Sequence, residues 1–338
     1  MHLRKYRLSL VCWGLTASAI AGQVDTIQVE SSVMHKFIKC VIITPDRYRT
    51  NPTARFPVVY LLHGYTHTYK DWIGHVPELT TYADQQDLIM ACPDGQDSWY
   101  FDSPVLANVR FETYMTAELL PYLDAHYRTM PDKQHRALTG MSMGGHGSLY
   151  LAARHPNLYG NAAVLSGVVD FRPFPNNWSL KELLGDPIIY ADVWSAHTVY
   201  MAVDALQTGD VRIRIDCGTS DFCLDISRSL HQKLVQRGIA HDYIEQPGDH
   251  NWDFWRGNIN AQLLFFRIGF SQSTWIGSVQ SGAWTDNATW SCLCQPKVTD
   301  TVCIQPGHRV TITQLVKCKT VWLRGSLYVR NGGRLQQQ

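Results

Sequence analysis

Six short strand-like runs, most of them apolar and several ending in a turn, limit the folds open to this chain more than any other feature. They lie at Pro57 to His63, Leu88 to Pro93, Arg136 to Gly140, Ala162 to Gly167, Val211 to Cys217 and His241 to Gln246. Helical patterns fall between them at Glu112 to Tyr127, Ser148 to Arg154 and Ile226 to Arg237. A strand that is apolar along its whole length, rather than at alternate positions, is covered on both faces. Strands of that kind alternating with helices predict an α/β fold built on a mainly parallel, doubly wound sheet. Such sheets present their ligand-binding groups at the carboxyl ends of the strands.

Gly140-Met141-Ser142-Met143-Gly144 sits at one such end, between an apolar strand and a helix that stops before Pro156. It fits G-x-S-x-G, in which a sharp strand-to-helix turn lifts the serine hydroxyl above the sheet of an α/β-hydrolase. The helix start also offers free backbone N–H groups where an oxyanion would form. A serine nucleophile needs a base, and the base needs an acid to fix its tautomer. In this fold the acid and then the histidine follow the serine along the chain. Asp221 lies in the loop after the Val211 strand and His250 in the loop after the His241 strand, so both fall on the Ser142 side of the sheet. Asp225 is the competing acid, but its position suits the start of the next helix. The expected oxyanion donors are the backbone amides of Tyr65, in the loop after the first apolar run, and Met143, next to the serine.

The remaining histidines have ordinary readings. His241 opens a strand, and His146 falls in the turn after Ser142. His63, His67 and His75 match no common metal spacing, so no metal or organic cofactor is expected. Trp252 and Trp255 suit either a pocket wall or the core.

The chain has 338 residues, enough for about two domains at ~150 residues each. With 45% hydrophobic and 17% charged residues it can bury a large core. Its formal charge of +1 argues against a nucleic-acid partner. Residues 1–21 carry Arg4, Lys5 and Arg7, then a short apolar stretch ending Ala19-Ile20-Ala21. That pattern predicts a cleavable signal peptide and a secreted or periplasmic protein, with no span of the membrane. Beyond it lie eight cysteines, an even set compatible with disulfides in an exported chain. Cys217 and Cys223 are close enough to close a small loop, and Cys292, Cys294, Cys303 and Cys318 can pair among themselves. Composition shifts near Phe270. Residues 271–338 hold seven Lys or Arg against two Asp, with strand-like runs at Arg309 to Thr313 and Ser326 to Val329. The expected organisation is therefore a hydrolase domain at 22–270, a polar connector from Ser271 to Thr274, and a small β-rich C-terminal segment over 271–338.

Several ordered motifs carry a family resemblance. Leu61-Leu62-His63-Gly64, Pro93-Asp94-Gly95, the Gly140 to Gly145 turn, Cys217 to Asp221 and Gly248-Asp249-His250-Asn251-Trp252 together resemble the esterase D-like α/β-hydrolases. That family includes S-formylglutathione hydrolases, tributyrin-type esterases, feruloyl and acetyl xylan esterases, and mycolyl transferases. The resemblance implies Ser142 as nucleophile, Asp221 as acid, His250 as base, and Tyr65 and Met143 as oxyanion donors. It also implies a serine esterase acting on short-chain acyl, feruloyl or acetyl esters, free or carbohydrate-linked. The alternatives are an acyltransferase with the same residues, or a carbohydrate-binding protein on an inactive scaffold. Phe171 to Tyr200, with Trp178 and Trp194, corresponds to the variable cap. The tail resembles the β-rich repeats of some exported bacterial proteins, though it is short for a self-standing solenoid. The sequence sets no oligomeric state.

Overall fold

The structure is a computed structural model, which describes residues 23–272, 275–290, 294–298, 300–304, 307–318, 320–323, 325–330 and 332–337. The expected signal peptide at 1–21 lies outside the described residues.

Eight strands form one sheet: β1 (Gln23–Ser31), β2 (Lys36–Thr44), β3 (Val58–Leu62), β4 (Ile89–Pro93), β5 (Arg136–Met141), β6 (Asn161–Leu165), β7 (Arg212–Gly218) and β8 (His241–Gln246). Their order is β1-β2-β4-β3-β5-β6-β7-β8. From β4 to β8 every pair is parallel, while β1 and β2 run antiparallel at one edge. All six runs became strands, and β3 to β6 are buried at every residue. Alternate side chains of β3 feed two cores. Val58, Tyr60 and Leu62 pack on one face with Leu138 and Tyr150, and Val59 and Leu61 on the other with Met90, Ile259 and Phe266.

Two helical expectations change. The stretch read as one helix from Glu112 is three segments, Phe111–Thr113, a π-helical Tyr114–Leu119, and Leu120–His126. Pro121 has no N–H to give the carbonyl of residue 117, so the ordinary bonding ladder cannot run through. The helix after Ser142 begins at Met143, five residues earlier than its apolar pattern suggests, and runs to Arg154. Its first turn is glycine-rich because the backbone there lies against β3. A Cβ at Gly144 would stand 2.2 Å from the Leu62 carbonyl oxygen, an approach only glycine permits. Gly144→Ala is therefore expected to destabilise the fold by about 3 kcal/mol, read as a lower denaturant midpoint; an unchanged midpoint would contradict this packing.

The helix Trp252–Gln272 runs two residues beyond Phe270, into the stretch read as a connector. The connector's Ser273 and Thr274 lie outside the described residues. Beyond them come short strands: β9 (Trp275–Gly277), β10 (Gly282–Ala283), β11 (Thr301–Ile304), β12 (Arg309–Ile312), β13 (Leu315–Cys318), β14 (Thr320–Leu323), β15 (Ser326–Val329) and β16 (Arg334–Gln337). They stack in parallel as β14-β11-β9, β10-β12-β15 and β13-β16, around Trp284, Trp290, Val302, Val310 and Ile312. The tail is β-rich as expected, and its successive turns pile up as short coils of a parallel solenoid.

Candidate active site

Ser142 occupies the turn between β5 and the helix Met143–Arg154, with φ 55° and ψ −116°. A non-glycine residue in that conformation is strained, and the surroundings hold it there. Its N–H donates to Leu165 O at 3.1 Å, and its carbonyl accepts from His146 N at 3.0 Å. The hydroxyl is thereby lifted above the carboxyl end of the sheet.

Asp221 and His250 arrive from neighbouring strand ends, after β7 and β8. The two loops touch at Gly218, where a Cβ would stand 2.5 Å from the Gly248 carbonyl oxygen. Thr219 N–H and Ser220 N–H donate to Gln246 O and Gly248 O, both at 2.9 Å, and lock the loops together. His250 Nδ1 then lies 2.9 and 3.0 Å from the two Asp221 carboxylate oxygens, and its Nε2 lies 3.0 Å from Ser142 Oγ. The acceptor-only carboxylate places the proton on Nδ1, so Nε2 accepts from the serine hydroxyl. Burial by itself pushes the Asp221 carboxyl up, but hydrogen bonds from His250 and Cys223 N–H outweigh it and hold the group below the usual carboxylate range. Asp225, the competing acid, stands on the helix Leu224–Gln236 with a 95% exposed side chain, 3.9 Å from Arg228.

The serine opens onto a cleft of about 340 Å³ lined by Gly64, Tyr65, Thr66, His67, Ser142, Trp178, Phe222, His250 and Trp255. Tyr65 N–H has no acceptor among the described residues, and Met143 N–H belongs to the first helical turn, where no carbonyl precedes it. Of the two expected oxyanion donors, the Tyr65 N–H belongs to a residue lining the cleft with Ser142, and Met143 directly follows the serine in the chain. Phe222 lies on the His250 ring, centroids 4.4 Å apart, and Trp178 stacks on Phe222 at 5.9 Å. Trp255 is both wall and core, with its ring edge-on to His250 at 5.1 Å. Trp252 does not line the cleft but packs behind it, against the lining residues His67 and Trp255 as well as Trp72 and His75. Reading the sequence singled out neither Phe222 nor the pocket role of Trp178. Phe222 adjoins Asp221 in the sequence, and that adjacency is its only local signal.

The cysteine expectation needs correction. Cys217 and Cys223 carry free thiols, as does Cys318. Cys223 Sγ is turned toward His250 Nδ1, 3.9 Å away, instead of bridging to Cys217. Burial pushes both thiols up, with the Asp221 charge adding to it. Cys294 is disulfide-bonded, while Cys292 and the Cys303 side chain lie outside the described residues. Among the described residues, the one group of three possible metal-ligating side chains is Asp221, Cys223 and His250. Two of these already serve the serine, and the third is a protonated thiol, a poor ligand. His63, His67 and His75 form no such group. No helix among the described residues is long and apolar enough to cross a membrane.

A mostly parallel sheet with a serine on its strand-to-helix turn, facing an imidazole backed by a carboxylate, defines an α/β-hydrolase. A family model described as "Putative esterase" matches residues 31–266, well over half the chain, and the chain belongs to that Esterase family. It is 29% identical over 241 residues to Esterase Rv1288 of Mycobacterium tuberculosis, covering 62% of this chain and 51% of that protein. The match thus spans about half the length of that relative. It is 25% identical over 221 residues to the acetyl esterase of Caldicellulosiruptor saccharolyticus, covering 58% of this chain and 78% of that one. Among solved structures, a ferulic acid esterase superposes with a TM-score of 0.64 at 24% identity, over 74% of this chain and 99% of its own.

Proposed function

We propose that this protein is a secreted serine carboxylesterase, with residues 22–270 as its catalytic unit and 271–338 as an appended β-rich unit. The observation that carries the reading is the continuous relay from Ser142 Oγ through His250 to Asp221, each contact at 2.9 to 3.0 Å. His250 takes the Ser142 proton as the oxygen attacks the ester carbonyl. Asp221 stabilises the imidazolium, and the amides of Tyr65 and Met143 receive the oxyanion. One such donor typically contributes about 3 kcal/mol to lowering the barrier. His250 then protonates the departing alcohol, water attacks the acyl-enzyme by the same route, and no cofactor enters. Export is supported by the basic and apolar composition of residues 1–21.

The cleft supports a reading of the substrate class. A space of about 340 Å³ walled by Trp178, Phe222 and Trp255 suits a short acyl group or a single aromatic acid better than a long fatty chain. Acetyl and feruloyl esters of carbohydrates fit that description and accord with the names of the acetyl and ferulic acid esterase relatives. The test is a panel of p-nitrophenyl acetate, butyrate and palmitate, methyl ferulate and acetylated xylan. We expect kcat/KM for acetate, butyrate or ferulate to exceed that for palmitate at least 100-fold. Preference for palmitate would overturn the substrate class. Acyl transfer to added sugars outrunning hydrolysis would make the protein an acyltransferase. No turnover together with tight polysaccharide binding would make it a binding protein.

A further inference from the structure

We propose that His63, which lies outside the relay, is the positioning residue that aims the Tyr65 amide at the oxyanion. The inference rests on the reading of Ser142 as nucleophile and Tyr65 N–H as oxyanion donor. His63 is the first residue after β3 and is wholly buried. Its Nε2 lies 2.8 Å from Gly95 N, and a backbone N–H can only donate, so Nε2 is an acceptor. The ring proton is therefore on Nδ1, which lies 2.8 Å from the Gly64 carbonyl oxygen and donates to it. Asp94 Oδ1 stands farther from Nε2, at 3.5 Å, and accepts from Gln96 N–H.

The Gly64 carbonyl also accepts from His67 N–H at 3.2 Å. Two donors thus hold this oxygen. The Gly64–Tyr65 peptide is planar and trans, so fixing its carbonyl turns the Tyr65 N–H to the opposite side. That N–H has no protein acceptor among the described residues, and it belongs to a residue lining the cleft beside Ser142. A flipped peptide would break both bonds to the Gly64 oxygen and turn the carbonyl, an acceptor, toward the place where negative charge develops.

Tyr100 completes the clamp. Its hydroxyl accepts from His63 N–H at 2.9 Å and faces His63 O at 3.3 Å, so both backbone polar groups of His63 are held by one phenol. Tyr100 is itself buried at φ 59°, and its ring fills the space beside Gly95 and Gly147, where a Cβ would approach it to 2.3 and 2.5 Å. Backbone orientation at Tyr65 is thus set by two side chains that never meet the substrate.

The experiment compares wild type with His63→Leu, His63→Asn and Tyr100→Phe, with active sites counted by fluorophosphonate titration. An Asn amide can place an N–H where Nδ1–H stands, and Leu cannot. Readouts are kcat and KM for p-nitrophenyl butyrate, Ki for a trifluoromethyl ketone whose adduct carries an oxyanion, and Tm. For His63→Leu we expect kcat to fall about 100-fold with KM within threefold, and ketone affinity to fall by a similar factor. His63→Asn should recover at least tenfold of both, although its Tm drops like that of His63→Leu. Tyr100→Phe should move kcat and ketone affinity together by a smaller factor. Wild-type kcat per active site in His63→Leu, ketone affinity that does not follow kcat, or an Asn variant no better than Leu would each overturn the proposal. Should His63→Leu not fold, His63→Asn decides: folded protein within tenfold of wild type in kcat and Ki supports it, and a 100-fold loss overturns it. A wild-type protein that neither cleaves esters nor takes up the fluorophosphonate at Ser142 would instead overturn the esterase reading.

Discussion

Ser142→Ala and His250→Ala are each expected to lower kcat for ester hydrolysis about 10⁴-fold or more, and the double variant scarcely further. The relay explains why. The hydroxyl is a nucleophile only while His250 Nε2, 3.0 Å away, can take its proton, and the imidazole has no task once the hydroxyl is gone. Groups that act on one proton in one step fail as a unit, so their losses do not add. What survives is the contribution of the amides and the cleft, a residual rate still above that of water. KM should stay within a few-fold for Ser142→Ala, which leaves the aromatic wall intact, whereas His250→Ala also removes the ring that Phe222 and Trp255 pack against. The measurement is kcat and KM for p-nitrophenyl butyrate across the double-mutant cycle. Losses that multiply would mean the two residues work independently, which the relay forbids. Fluorophosphonate labelling gives a second readout, since Ser142→Ala removes the acceptor atom itself.

Much of this arrangement was legible before any coordinates. Four of the six strands announced themselves because a strand covered on both faces must be apolar throughout, as β3 to β6 are; β7 alternates, with Arg212 and Arg214 flanking Ile213, and β8 is half-exposed along its length. The positions of Ser142, Asp221 and His250 past the ends of β5, β7 and β8 were legible from the order of strand-like runs and turns, and the structure brings the three side chains within hydrogen-bond distance. The β1–β2 hairpin was not, because β1 is largely exposed and offers only weak alternation. Trp178 was legible as a cap residue but not as a wall of the cleft. Its place beside Phe222 depends on a left-handed turn at Trp178 and Ser179, on the Trp99 indole donating to Trp178 O, and on Tyr65 Oη lying 3.1 Å from Ser179 Oγ. None of these contacts leaves a local pattern. The role of the His63 ring was not legible, because the bond that matters joins it to its own neighbour's carbonyl and needs Gly95 from another strand end to fix the tautomer. The Cys217–Cys223 expectation failed because closeness in sequence says nothing of where a thiol points, and Cys223 points at His250.

Asp221→Asn is expected to cost about 10⁴-fold in kcat while the protein stays folded. Asn and Asp have nearly the same shape, so the loop contacts through Gly218 and Gly248 survive. The tautomer does not. An amide that presents its NH₂ group to His250 Nδ1 favours the ring with its proton on Nε2, which then faces the Ser142 hydroxyl with a donor where an acceptor is required. Asp225→Asn, on an exposed side chain, should leave kcat within twofold. The reverse ranking would move the acid to Asp225. A second consequence concerns stability. The Asp221 carboxyl is held below its ordinary value in the folded state, so the stabilisation it brings is fully present above the ordinary carboxylate range, near pH ~4. It is lost as the pH falls through the depressed folded value. Denaturant unfolding at pH 7 and pH 3 should therefore show wild type losing more stability on acidification than Asp221→Asn, which has no proton to take up at this position. Equal losses in the two proteins would mean that the carboxylate is not held by His250 and the Cys223 amide in solution, and the relay would then lack the group that sets its direction.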